Sequence, residues 1–272
     1  MMSDYDRNAT AAPFGTSIGR AEAAAIDAGL RAYMLNVYNY MVLGLAITGL
    51  AALGIYMLSV TGDAGSAARN AAGAAIALRG GQFLTPLGYA MFAGPLKWLV
   101  IFAPLGLVFA LSFGIERMKP ATAQLLFWVY AALVGLSLGS IFMVYTHTSI
   151  VRVFFITAAS FGALSLWGYT TQRDLTGMGS FLIMGLFGVI LASLVNLFLA
   201  SSMLQFVVSV VGVLVFAGLT AWDTQRLKNE YIYGAMEGVV AERAAIMGAL
   251  SLYLNFINLF TLLLQLLGQR EE

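Results

Sequence analysis

Long stretches of this chain carry no charge. None of Asp, Glu, Lys or Arg falls between Arg31 and Asp63, between Lys97 and Glu116, between Lys119 and Arg152, or between Arg152 and Arg173. The run between Asp174 and Asp223 is 48 residues long, and another runs from Arg243 to Arg270. A helix rises 1.5 Å per residue and needs about 20 apolar residues to cross a bilayer. The 48-residue run is too long for one crossing and suits two, broken near Ser201–Gln205. The pattern therefore predicts seven spans, at 33–60, 96–116, 121–146, 149–171, 178–199, 204–224 and 246–268. Strands of a membrane barrel would alternate and would not give runs so uniformly apolar.

Between the runs, residues 61–95 are rich in Ala and Gly, and their apolar piece Ala71–Leu78 is too short to cross. They read as an extracytoplasmic loop with an interfacial helix, a re-entrant segment being the alternative. Residues 1–30 read as a polar tail without the apolar core of a cleavable signal, so span one is expected to act as its own signal. The connection 225–245 reads as long. Trp98, Trp128, Trp167 and Trp222 lie near span ends, as an interfacial aromatic belt would place them.

Composition agrees with this picture. Hydrophobic residues make up 60% of the 272 positions and charged residues 10%, against roughly 25% charged in a soluble domain. So few charges cannot cover a soluble globule, and a net charge of +1 provides no field for a nucleic acid. Cysteine is absent, which excludes disulfides and thiolate chemistry. Lys and Arg are biased toward the N-terminal side, nine against five. By the positive-inside rule the N-terminus is cytoplasmic, and after seven spans the C-terminus lies outside.

Three groups of residues invite a chemical reading. Asp223 stands in Ala221-Trp222-Asp223-Thr224-Gln225-Arg226, at the end of span six. An ionisable group within the membrane usually faces a cavity or a partner; the plainer alternative is an interfacial carboxylate held by Arg226 or Lys228. In the last span, Ser251, Asn255 and Asn258 recur at i, i+4 and i+7 and share one face. That face must point into the bundle, either as part of a polar path or as hydrogen-bonding between helices. Gly135-Leu-Ser137-Leu-Gly139 has the spacing of a hydrolase elbow, but His147 lies ten residues on along the same span, about 15 Å away. The glycines read instead as a packing face, His147 as interfacial, and the chain as no enzyme. A retinal protein would need a lysine in the last span, and an aspartyl membrane protease a second membrane aspartate; neither is present.

The segments Ala221-Trp-Asp-Thr-Gln-Arg-Leu-Lys228 and Gly248-Ala-Leu-Ser-Leu-Tyr-Leu-Asn-Phe-Ile-Asn-Leu-Phe260 resemble the Bax inhibitor-1, or transmembrane Bax inhibitor motif, family in its bacterial branch. Residues 121–137 and 30–41 fit it as well. The resemblance implies an all-α polytopic fold in the cytoplasmic (inner) membrane, the C-terminal helix central and wrapped by two three-helix layers. It also implies a pH-sensitive calcium leak gated by two aspartates. Asp223 matches one of them, and Asn255 stands where the family has the other. On this reading Asp223 is gate and calcium ligand, Asn255 its hydrogen-bond partner, and Ser251, Asn258 and Arg226 support them. No resident cofactor is implied, only transient calcium. The alternative function is that of a membrane interaction protein that modulates a membrane-bound protease or a stress response, with residues 1–30 as its handle.

Overall fold

The structure is a computed structural model that describes residues 20–234 and 238–271. Among the described residues, seven helices are long and apolar enough to cross a membrane. They are α1 (Arg20–Ser59), α2 (Leu96–Gly114), α3 (Pro120–Leu138), α4 (His147–Thr170), α5 (Thr176–Leu199), α6 (Ser202–Tyr233) and α7 (Gly238–Leu267). The protein is an all-α polytopic membrane protein.

Local chemistry sets the helix ends. Thr146 and Ser201 are extended residues whose hydroxyls accept from Ser149 N and Leu204 N, capping α4 and α6. Pro120 opens α3, where its missing N–H costs nothing. Ala200, at φ 48°, reverses the chain between α5 and α6 at the break expected near Ser201, and Asn196 Oδ1 accepts from Ser201 N to hold that turn.

Some boundaries differ from those expected. Helix α1 starts at Arg20 and so takes in the end of the segment read as tail, while residues 1–19 lie outside the described residues. Helix α6 continues to Tyr233 and α7 begins at Gly238, so most of 225–245 is helix. Charge marks where a helix leaves lipid, not where its backbone hydrogen bonds end. Span three is interrupted at Gly139–Ser140 before a short turn, Ile141–Val144.

In the loop after α1, Val60–Thr61 (β1) pairs antiparallel with Phe83–Leu84 (β2), and Ala71–Leu78 is not helical. The helical turns lie later, at Pro86–Gly88 and Tyr89–Ala93. Asp63 accepts from Gly65 N at 2.9 Å and from Ser66 N at 3.1 Å, and these bonds hold its carboxyl below its ordinary range. Of the four tryptophans, Trp98 and Trp167 are exposed near helix ends as a belt requires. Trp128 packs on the core from the middle of α3, and Trp222 turns inward under Arg226.

Helix α7 packs against α1, α3, α4 and α6. Its Tyr253 is fully buried, its hydroxyl 2.6 Å from Thr48 Oγ1 and its ring edge-on to Phe127 and Tyr130. A second apolar cluster joins α5, α6 and α7 through Leu182, Val215, Phe216, Leu219, Leu259 and Leu262. Helix α2 lies at the edge, with Leu111 its buried residue. At the far end, Thr146 N donates to Gln269 O and Glu271 N to Val144 O, so the segment after α7 lies along the connection before α4. Seven crossings put residue 270 on the side opposite residue 20, and this pairing agrees.

Candidate functional site

The Trp222–Lys228 segment of α6 is a junction at which each side chain has a different neighbour. Asp223 is 4% exposed. Its Oδ1 accepts from Arg226 Nη2 at 2.8 Å, one turn along the same helix. Its Oδ2 accepts from Ser251 Oγ at 2.8 Å and from Asn255 Nδ2 at 2.7 Å. Ser251 and Asn255 stand at i and i+4 on α7, so one face of that helix supplies both donors. Arg226 Nη2 also reaches Ser251 Oγ at 3.4 Å. The buried charge is thus paired and hydrogen-bonded on both oxygens, the condition under which an ion pair survives in an apolar interior.

The two helices come this close because Gly248 lies one turn before Ser251. A Cβ there would sit 2.7 Å from Leu227 Cδ2, and small residues at such seams let membrane helices approach. On its outer side the guanidinium covers the Trp222 ring, 5.1 Å from its centroid, and Arg226 Nε lies 3.8 Å from Glu230 Oε1. A recess of about 360 Å³ lies against this group, lined by Ser112, Arg226, Glu230, Met247, Ser251 and Leu254. Asp223 does not line it; Arg226 and Ser251 stand between.

The neighbours of Asp223 fix the helix in place. Thr224 is fully buried and its hydroxyl lies 2.8 Å from Ser165 Oγ of α4; Ser165 is bonded in turn to Tyr38 of α1. Gln225 accepts from Leu175 N at 2.8 Å and donates to Arg173 O at 2.7 Å, tying α6 to the connection before α5. Lys228 Nζ donates to Tyr169 O at 2.8 Å, so of the two cations weighed for Asp223 it is Arg226 that binds it. One turn earlier α6 touches α4 backbone to backbone, since a Cβ on Gly168 would lie 2.2 Å from Ala221 O.

The structure therefore brings Asp223, Asn255, Ser251 and Arg226 together and leaves Asn258 out. The Asn258 amide donates to Leu254 O of its own helix at 2.8 Å. Thr224, Gln225, Ser165 and Glu230 were not singled out in the sequence. Glu230 had a signal, its i+4 spacing from Arg226; the others had none, since their partners are on distant helices.

Ser137 donates to Val100 O at 2.7 Å and to Leu133 O at 3.2 Å, while Gly135 and Gly139 pack on α1, where Cβ atoms would meet Thr48 O and Ile55 Cγ2. The elbow-like spacing is a packing face. His147 opens α4, exposed, its ring against Tyr56 and Phe142. Among the described residues no three His, Cys, Asp or Glu gather as metal ligands.

The family described as inhibitor of apoptosis-promoting Bax1 matches residues 30–272. An uncharacterized protein of Rickettsia prowazekii is 48% identical over 246 residues, covering 90% of this chain and 93% of that one. An uncharacterized protein of Caulobacter vibrioides is 43% identical over 272 residues, the full length of both. The inner membrane protein YbhL of Escherichia coli K12 is 43% identical over 246 residues, 90% of this chain and 94% of its own. A match over nearly the whole length, containing both segments that build the Asp223 cluster, establishes that the chain belongs to the bacterial branch of the Bax inhibitor-1 family.

Proposed function

We propose that the protein is a calcium leak of the bacterial inner membrane, with the Asp223 cluster as its closed latch. Its N-terminus would be cytoplasmic, and α7 would be the central helix between two layers of three, a reading supported by its contacts with four other helices. The observation that carries the function is a carboxylate 4% exposed within a membrane helix, bound by donors from a second helix. A buried charge that held helices together and did nothing else could be replaced by apolar packing at little cost.

Calcium takes 6–8 oxygen ligands, and both oxygens of Asp223 are occupied by donors. A passing ion would reach the carboxylate only after Arg226 moves out toward Glu230 and the recess. Asn255 has no charge to titrate, so the latch is not a coupled pair of carboxylates, and the leak of this chain would depend weakly on pH between about 6 and 8.

Calcium flux into liposomes containing the full chain tests the reading. Asp223→Asn removes the ion ligand and lowers the flux. Arg226→Gln removes the competing cation and raises it. Absence of flux in the native chain and in Arg226→Gln overturns the proposal.

A further inference from the structure

A further cavity shares no lining residue with the latch recess. It is a groove of about 1390 Å³ between α1 and α4, floored by Phe256 of α7. A small-molecule pocket holds roughly 300–1,000 Å³. It adjoins a second cavity of about 460 Å³, which shares Leu45, Gly49, Leu53, Phe154 and Phe256 with it and continues to His147. Along α1 the groove runs from Asp27 to Leu53, about 39 Å at helical rise, more than the hydrocarbon thickness of a bilayer. Helices α1 and α4 pack only weakly on each other here, and the Tyr38–Ser165 hydrogen bond crosses between them. Rim residues Leu35, Val42, Leu50 and Leu166 are exposed, so the groove opens sideways, toward lipid.

Two features of the groove are unexplained by the protein itself. Gly49 of α1 and Gly162 of α4 both line it, and a Cβ on either would meet no atom within 4 Å. Glycine is a poor helix former, and no neighbouring helix requires its small size at these two positions. The second feature is at the N-terminal mouth, where Asp27 and Arg31 are exposed at i and i+4 and are the charged members of a lining whose other polar side chains are Tyr38, Ser165 and Tyr169. Asp27 is the outer of the two by one turn.

We propose that the groove binds a bilayer glycerophospholipid of the leaflet on the N-terminal side. Its acyl chains lie along α1 and α4 over Gly162, three residues from the Ser165 that bonds Tyr38; Gly49, about 27 Å along α1 from Arg31, lies beyond the reach of that leaflet. Its headgroup carries a phosphate and, beyond it, an ammonium. Arg31 takes the phosphate as a charge-assisted fork, and Asp27, one turn farther out, takes the ammonium. The order of the two charges along α1 is the order of the two charges in such a headgroup.

The test is native mass spectrometry of the full chain in detergent, titrated with dioleoylphosphatidylethanolamine or with dioleoylglycerol, which lacks the headgroup. The expected result is one phospholipid retained per chain, in preference to the diacylglycerol. Gly162→Phe fills the groove beside the acyl chains, and displacing as few as two methylenes weakens retention about tenfold. Gly106→Leu is the control, a position on α2 whose Cβ also meets nothing within 4 Å but which lies outside the groove. It leaves retention unchanged. Arg31→Gln brings the phospholipid down to the level of the diacylglycerol. Equal retention of the two lipids overturns the proposal, as does retention that Gly162→Phe leaves intact. So does a native chain that holds no lipid, or a dimer that Gly162→Phe splits.

Discussion

Both oxygens of Asp223 are bound, and they are bound from different directions: Oδ1 along its own helix by Arg226, Oδ2 across the seam by Ser251 and Asn255. The across-seam contact depends on an amide that donates at every pH, as a protonated carboxyl would. Asn255→Asp would put two carboxylates within one hydrogen bond of each other, with Arg226 and, beyond it, Glu230 as the other charged groups of the cluster. Such a pair titrates as a unit. The expected outcome is a leak that varies steeply between about pH 6 and 8, where the native chain varies little, measured as calcium flux in liposomes. Flux that stays flat in the variant would mean that position 255 does not control the latch. The residue types here are legible in the sequence, because a polar stripe cannot face lipid. The pattern did not give the pairing of Asp223 with Asn255, which depended on the family resemblance, nor Thr224 and Gln225, whose partners are 59 and 50 residues away in the chain.

Helices that cross lipid meet at their small residues, and the seams here differ in what would resist substitution. At Gly248 the obstacle is the end of the Leu227 side chain; at Gly168 it is the Ala221 backbone. Side chains can rotate away and a packed backbone cannot. Gly168→Ala is therefore expected to destabilise the protein by about 1–3 kcal/mol through overpacking, read as a lower melting temperature in detergent. Gly188→Ala on α5, where a Cβ meets nothing within 4 Å, is expected to be neutral or to stabilise by up to about 1 kcal/mol from helix propensity. Equal effects of the two would refute the backbone seam. Uncharged runs revealed these helices because hydrocarbon excludes charge. The ends of α1 and α6 escaped the same reasoning. Arg226, Lys228 and Glu230 lie on a helix that continues to Tyr233, and no hydropathy pattern separates a charged helical turn from a charged loop.

Across the whole molecule, the bias of Lys and Arg and the odd number of crossings make one joint prediction. Reporter fusions should place residue 20 in the cytoplasm and residue 270 outside; finding both on one side would remove a span. The groove between α1 and α4 is not legible in the chain, since only the separation of the two helices makes a cavity. The pairing of residues 269–271 with Val144–Thr146 has a mechanical consequence. It anchors the far end of α7, while α4 and α6 are locked together at Gly168–Ala221. An anchored rod swings at its other end. Leu267 is about 18 Å from Asn255 at helical rise, so a tilt of a few degrees about this pivot moves Asn255 by about 1 Å, enough to break its bond to Asp223. On the leak function proposed above, the segment after α7 would serve as a fulcrum, and removing residues 268–271 is expected to loosen the lever and raise calcium flux in liposomes; unchanged flux would refute it.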